Sequence, residues 1–239
     1  MKRIFLILGI FGIIFFHTGA QKIKTLEIIA NKPYSEVKST MWGIFFEDIN
    51  FAADGGIYAQ LVKNGSFEFY KPLMGWKEIR TKGSDGSILI LNYGNERPKN
   101  PRIVRLTSNC DSCILGLSNE GFRGMGVRKD EIYNFSIYAR KVEGNNIVLK
   151  IELINSEGDK IGESSISSFT NEWQKFETAF ICSKSDAKAR LNIYIQGKGI
   201  LDIDMVSLFP RSTWKERKNG LRKDLVQMLY DLRPGFLRF

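Results

Sequence analysis

Residues 42–50, WGIFFEDIN, decide how this chain is interpreted. The stretch joins an apolar run, 42–46, to two carboxylates, Glu47 and Asp48, that lead into a glycine-containing loop. A continuous apolar run of this length predicts a strand covered on both faces, over about residues 42–49. In α/β barrels, acidic residues at the carboxyl ends of such strands line the active site. The simpler alternative is a strand that leads into a solvated acidic turn.

Residues 76–210 follow a different pattern, in which apolar and polar side chains alternate. The alternation is clearest at 133–140, 149–153 and 191–195, and turn signals separate these segments. This pattern predicts a jelly-roll-like antiparallel β-sandwich. Asp202 and Asp204 alternate with apolar neighbours and are therefore predicted on the exposed face of one strand.

The segments that flank the sandwich have the pattern of a β–α–β unit. Residues 21–75 contain the strand at 42–49, and residues 211–239 contain leucines at helical spacing over about 220–232 and a second apolar strand at 236–239. Parallel pairing of the two strands requires a crossover, which the helix supplies. We therefore predict an interrupted domain, in which the sandwich is inserted in the first connection of one β–α–β progression. Two strands cannot close a sheet, let alone an α/β barrel, which takes roughly 250 residues.

Residues 1–20 have the layout of a secretory signal peptide. Lys2 and Arg3 precede an apolar run at 4–16, and small residues favour cleavage after Ala20. The run is short for a membrane anchor, which is the alternative interpretation. We expect a periplasmic or extracellular protein with no membrane contact after cleavage.

Cleavage also removes His17, the only histidine of the chain. A mature protein without histidine cannot build a Ser-His-Asp site or a histidine-ligated zinc site, and no metal site is predicted. Export permits a disulfide among Cys110, Cys113 and Cys182, and their pairing stays open.

The net charge of +9 is a weak basic bias, because acidic residues are interspersed with the basic ones. The densest basic run, 211–222, is interpreted as a solvated loop. We expect no nucleic-acid partner, since no recognisable binding module accompanies the charge.

Longer motifs resemble a known family. GIFFEDIN at 43–50, DIDMVSLFP at 202–210 and DLRPGFLRF at 231–239 resemble the amino-terminal part of the α-L-arabinofuranosidases of glycoside hydrolase family 51. GFRGMGV at 121–127 and YNFS at 133–136 resemble a carbohydrate-binding module of the bacterial cellulase-associated type.

The resemblance implies an incomplete TIM-type (β/α)8 barrel whose first βα connection carries the inserted sandwich. It also implies a retaining hydrolase that removes terminal arabinofuranosyl residues from plant-type polysaccharides or oligosaccharides. By the same resemblance, Glu47 holds the arabinose hydroxyls and Arg238 lies near the nucleophile; alternatively, Arg238 only pairs a neighbouring charge. The family's two reacting carboxylates lie on later barrel strands, so no residue here is assigned as catalytic and the fragment is expected to be inactive. Gln60 and Gly65 depart from the glutamate and arginine expected in this family.

No cofactor is predicted. Modules of this type hold a structural calcium in some cases, but no calcium-loop motif supports one here.

A second hypothesis makes the chain a non-catalytic carbohydrate-binding protein or module. Exposed aromatic side chains of the sandwich would then stack on sugar rings, with Tyr138, Tyr194 and Trp76 as the candidates. Ordinary half-buried packing is the alternative for each of them. A third possibility is a sandwich that only supports the barrel.

Overall fold

The computed structural model describes residues 24–32 and 34–239. The described chain divides into two units, and the boundary between them lies between Met41 and Trp42. Within the first, residues 24–29 are irregular, and a 3-10 turn spans Ser39–Met41. The predicted signal peptide, 1–20, lies outside the described residues.

Two antiparallel sheets make up most of the second unit. Their strands are β2 Trp76–Arg80, β3 Gly86–Asn92, β4 Arg102–Ser108, β5 Leu115–Asn119, β6 Met125–Val127, β7 Ile132–Glu143, β8 Val148–Ile154, β9 Lys160–Ile166, β10 Gln174–Ile181, β11 Asp186–Gln196 and β12 Gly199–Pro210. One sheet has five strands in the order β10-β7-β12-β4-β3, and the other has the order β2-β5-β11-β8-β9, with β6 also paired to β11.

The two sheets pack on one apolar core, which confirms the predicted β-sandwich. Phe135 and Ile137 of β7 and Ile203 of β12 enter this core from the five-stranded sheet, and Ile151 and Ile193 enter it from the other sheet. These side chains are buried because alternate residues of a strand point to opposite faces. The period-two pattern in the sequence is therefore the pattern of core contacts.

The remaining elements are two short strands and one helix. Strand β1, Ile44–Phe45, pairs in parallel with β13, Leu237–Arg238, and helix α1, Lys223–Asp231, comes before β13 in the chain. A 3-10 turn at Trp214–Glu216 precedes the helix. The pairing is parallel because α1 returns the chain in the crossover direction.

The prediction of a strand covered on both faces at 42–49 was wrong for the described chain. Trp42, Phe45 and Ile49 are each 60% exposed, and no residue of α1 is buried. The reason is that β1 has a single partner strand, and among the described residues no second layer covers either face of this two-stranded sheet.

A bulge in β12 connects the chain between β1 and β2 to the sandwich. The register between β12 and β7 shifts between Asp204 and Ser207, and Met205 has a φ of 50°. The shift turns the amide of Val206 toward Gly65, whose carbonyl accepts a hydrogen bond of 2.9 Å. The chain that follows β1 is thereby held against β12.

The cysteine pairing that the sequence left open is resolved in the structure. Cys110 and Cys113 form a disulfide in the loop between β4 and β5. Cys182 is a buried free thiol, and burial raises its pKa.

Candidate substrate-binding site at the paired strand ends

Glu47 lies at the carboxyl end of β1, two residues beyond the strand. The amide of Ile44 donates to the carbonyl of Phe236 at 3.0 Å, and the amide of Phe46 donates to the carbonyl of Arg238 at 2.8 Å. This ladder sets the direction in which Glu47 leaves the sheet. The side chain of Glu47 is exposed.

Arg238 lies at the corresponding end of the neighbouring strand. It is in register with Phe45, and its guanidinium carbon lies 5.1 Å from the centre of that ring. The structure therefore brings Glu47 and Arg238, the two residues predicted for the substrate site, to the same edge of one parallel pair, where α/β proteins bind their ligands. Among the described residues, no ion pair joins Glu47 to Arg238, and the Arg238 side chain rests on an aromatic face.

The loop after Glu47 is held by its own hydrogen bonds. Asp48 Oδ1 accepts a 3.1 Å hydrogen bond from the amide of Ala53. Asn50 and Phe51 adopt positive φ angles of 53° and 62°, and the Phe51 ring packs edge-on against Phe122 at 5.3 Å. These contacts occupy the Asp48 carboxylate in the turn and leave the Glu47 carboxylate to solvent.

Local packing accounts for the two departures from the family pattern. Gln60 Oε1 accepts from the amides of Val62 and Leu208, at 3.1 and 2.9 Å, and its Nε2 donates to Ser207 Oγ at 3.0 Å. A Cβ atom on Gly65 would lie 2.0 Å from the carbonyl oxygen of Val206. An arginine therefore cannot occupy position 65 in this backbone conformation, and Gln60 serves as a link to β12.

The three aromatic candidates for sugar stacking differ in accessibility. Trp76 is only 5% exposed, packs against Phe67, and donates its indole N–H to the carbonyl of Asn64 at 3.0 Å. Its proposed role as a stacking platform is therefore corrected, because the ring is part of the core.

The two tyrosines lie on the outer faces of different sheets. Tyr194 is half-buried on β11 and donates its hydroxyl to Glu152 at 3.1 Å. Burial, followed by the nearby negative charge of Glu152, raises the pKa of Tyr194 to about 12. Tyr138 on β7 is 40% exposed, which makes it the most accessible of the three aromatic candidates.

Beside Tyr138 lies a group of charged residues that the sequence interpretation missed. Asp202 accepts two hydrogen bonds from Arg105, at 2.7 and 2.9 Å, and one from Arg140 at 3.0 Å. Asp204 accepts one from Arg97 at 2.7 Å. These five residues are called the arginine cluster below.

The prediction that Asp202 and Asp204 lie on an exposed face was wrong, because both side chains are fully buried. They do point outward from the sheet, as the alternation requires, but the arginines and the loop after β3 cover them. Asn100 of that loop donates to Asp204 at 2.8 Å. Burial raises the pKa of Asp204, and the hydrogen bond from Arg97 opposes that rise.

Aromatic rings adjoin the cluster. The guanidinium carbons of Arg97 and Arg140 lie 5.4 and 5.2 Å from the centre of Trp173, which directly precedes β10. The centre of the Tyr93 ring lies 6.0 Å from the guanidinium carbon of Arg140. The only sequence signal for this arrangement was acidic residues within an apolar strand, and the pairing of Arg140, Asp202 and Arg105 depends on cross-strand register.

A cleft of about 500 Å³ opens between the loop after β1, the β6–β7 loop and the start of α1. Most of the charged side chains that line this cleft form ion pairs or hydrogen bonds within it. Asp224 pairs with Arg222 at 2.7 Å and with Arg128 at 3.8 Å, and Glu131 accepts from the amide of Ser212 at 3.2 Å. In the part of the chain that the structure describes, no group of three or more His, Cys, Asp or Glu side chains is arranged to hold a metal ion.

The fold and the site together define a protein with a β-sandwich and a parallel β–α–β unit that carries an exposed carboxylate at its strand end. An extracellular exo-α-L-arabinofuranosidase of Streptomyces chartreusis is 36% identical over 214 residues, which are 85% of this chain and 24% of that protein. α-L-Arabinofuranosidase 2 of Arabidopsis thaliana is 31% identical over 91% of this chain and 34% of the relative. The solved structure of an arabinose-bound GH51 α-L-arabinofuranosidase superposes with a TM-score of 0.72 at 26% identity, over 87% of this chain and 35% of that one.

No family model matches the chain. The relatives nevertheless confirm the resemblance: the chain is a relative of the family 51 α-L-arabinofuranosidases and spans about a quarter to a third of their length. Among the described residues, no helix is long and apolar enough to cross a membrane.

Proposed function

We propose that this chain is the sugar-holding, amino-terminal part of an exported α-L-arabinofuranosidase. When complete, the enzyme would hydrolyse terminal arabinofuranosyl residues of plant-type polysaccharides with retention. The observation that carries the proposal is similarity to named arabinofuranosidases over most of the chain, with Glu47 at a strand end. A carboxylate there can accept hydrogen bonds from two sugar hydroxyls at once.

The barrel context is part of the proposal. The parallel pair β1–β13, with α1 before β13, supports a (β/α)8 barrel whose first βα connection carries the sandwich. The relatives extend well beyond the matched part, which leaves room for the remaining barrel strands.

A retaining mechanism requires an acid/base and a nucleophile whose carboxyl groups lie about 5 Å apart. The resemblance places both on later barrel strands, so the chain alone should not hydrolyse arabinofuranosides. The measurement is release of 4-nitrophenol from 4-nitrophenyl α-L-arabinofuranoside by the purified chain. Turnover that survives rigorous purification would contradict this part of the proposal.

The role of Glu47 can be tested in a chimaera in which this chain replaces the aligned segment of the Streptomyces relative. We expect Glu47→Gln to lower kcat/KM by about 100-fold, because a charged acceptor for sugar hydroxyls is lost. Glu143→Gln is the matched control, since Glu143 is exposed at the end of β7 in the sandwich. Equal activity of the Glu47→Gln and Glu143→Gln chimaeras would refute the assignment.

Export is also proposed, from the layout of residues 1–20. Expression in a bacterial host should yield a mature protein that begins at Gln21. Amino-terminal sequencing of the exported protein checks this, and an uncleaved membrane-bound product would favour the anchor alternative.

A second candidate function is glycan binding by the sandwich, through the outer face of the five-stranded sheet. The ring of Tyr138 is exposed, and its cross-strand partner is Asp204 of the arginine cluster, which favours that face. Retardation in gels that contain arabinoxylan or arabinan should be lost in Tyr138→Ala. Tyr70→Ala is the control, because Tyr70 is exposed outside the sheets; no retardation by any plant polysaccharide would exclude this candidate.

A further inference from the structure

In the arginine cluster, the two carboxylates are buried and the three guanidinium groups are partly exposed. Asp202 and Asp204 have no exposed side-chain surface, whereas Arg97, Arg105 and Arg140 keep 33%, 25% and 29% of theirs. A molecule that approaches this face therefore meets guanidinium groups first. Three guanidinium groups against two carboxylates also leave one excess positive charge.

Aromatic rings and charges share the same patch of surface. Trp173 is half-buried within reach of both Arg97 and Arg140. Tyr138 is in register with Asp204 on β12 and with Lys175 on β10, so its exposed ring stands on the same face of the sheet. The patch thus offers flat apolar surface next to planar hydrogen-bond donors, a combination suited to a ring that carries a charged group.

Stability alone does not account for this arrangement. Removing two carboxylates from water costs free energy that their ion pairs barely offset, so a buried network of this kind is weak evidence for a stabilising role. In addition, Arg97 Nη1 is buried and has no hydrogen-bond partner among the described residues.

We propose that this face binds the carboxylate of a hexuronic acid residue in a polysaccharide, with the sugar ring against Tyr138 and Trp173. The inference rests on the proposed glycan binding by the sandwich and adds its chemical class. A guanidinium group pairs with a carboxylate through two parallel hydrogen bonds. One excess charge matches one carboxylate, whereas a nucleic acid would bring a run of phosphates and favour a longer basic stripe.

The test is isothermal titration calorimetry of the full chain with trigalacturonic acid and with the same trisaccharide after reduction of its carboxyl groups. An arabinan oligosaccharide of similar length provides a second neutral ligand. We expect the acidic trisaccharide to bind about tenfold more tightly than its reduced form, since one charge-assisted pair is gained.

Two variants locate the site. Arg140→Gln should lower affinity for the acidic trisaccharide about tenfold, and Arg140→Lys, which keeps the charge but loses the planar fork, should lower it about threefold. Arg190→Gln removes the same charge from an exposed position on β11 of the other sheet and should leave the affinity unchanged. Circular dichroism verifies that each variant is folded.

The possible results separate the two proposals. Equal affinity for the acidic and reduced trisaccharides would overturn the uronate inference and leave glycan binding in place. Absence of binding to all three ligands would overturn both. An equal loss in Arg190→Gln and Arg140→Gln would identify non-specific attraction by a basic protein and would also overturn the inference.

Discussion

The sandwich and the β1–α1–β13 segment have similar apolar side chains but bury them to different extents. Phe135 of β7 is almost fully buried between two sheets, whereas Phe45 of β1 is 60% exposed. Two packed sheets cover each other's inner faces, while two short strands and one helix leave most of theirs open. Burial therefore depends on the number of layers assembled around a strand, and local apolarity alone does not produce it.

The strongest test of this comparison replaces a phenylalanine in each region. Phe135→Ala should lower the free energy of unfolding by about 3–5 kcal/mol, because it removes a buried ring and leaves a cavity. Phe45→Ala should change it by less than about 1 kcal/mol, since that ring is already largely hydrated. Urea denaturation followed by circular dichroism measures both, and losses of similar size would break the comparison.

The next test compares a buried carboxylate of the sandwich, Asp202, with an exposed carboxylate after β1, Asp48. Asp202→Asn should cost about 3 kcal/mol, because Arg105 and Arg140 lose a buried counter-charge. Asp48→Asn should cost about 0.5–1 kcal/mol, since Asp48 makes one exposed hydrogen bond to a backbone amide. The midpoints of urea unfolding at an unchanged m-value report the difference. A larger loss for Asp48→Asn would mean that the strand-end loop is a major source of stability.

The sandwich core also predicts a response to alkaline pH. Burial raises the pKa of Tyr133 to about 12, partly offset by a hydrogen bond from the amide of Arg128. The unfolded phenol ionises near its ordinary pKa of about 10, so the stabilisation is complete below pH 10 and is lost as pH rises through 12.

We expect Tyr133 to lower the free energy of unfolding by about 2 kcal/mol across this window. Tyr194, whose pKa is also raised to about 12, adds to the fall in both proteins, so the slope should be steeper in the wild type than in Tyr133→Phe. Tyr230→Phe is the control, because Tyr230 is exposed on α1. Urea unfolding at several pH values between 9 and 12 checks the slopes. Parallel slopes for wild type and Tyr133→Phe would exclude Tyr133 as the source.

The smallest effect concerns the connection between the two regions. Gln60→Glu should change stability by less than about 1 kcal/mol, because a carboxylate still accepts from the amides of Val62 and Leu208 and the hydroxyl of Ser207 can rotate to donate. Gln60→Leu should cost more, since it leaves both amides unpaired. Thermal unfolding compares the two, and equal losses would contradict the role of Gln60 as a link.

Much of the sandwich could be predicted from the sequence, because alternation along a strand assigns faces without knowledge of its partners. Residues 133–140 and 191–195 show this, and their apolar positions are core positions in the structure. The strand-end position of Glu47 was equally accessible, since it follows directly from the end of an apolar run. The extent of burial at 42–49 could not be predicted in the same way, because it depends on whether other strands and helices pack against this strand.

The sequence by itself determined the sandwich, the parallel strand pair and the family resemblance. The sandwich and the strand pair follow from the local pattern of apolar residues, and the resemblance follows from contiguous motifs. Only the tertiary structure decided that Trp76 is a core residue and that Cys110 pairs with Cys113. It also decided that Asp202 and Asp204 lie beneath arginines from β4, β7 and the loop after β3. The physical reason is that the solvation of a side chain is set by residues distant in sequence, which reach it only once the strands are in register.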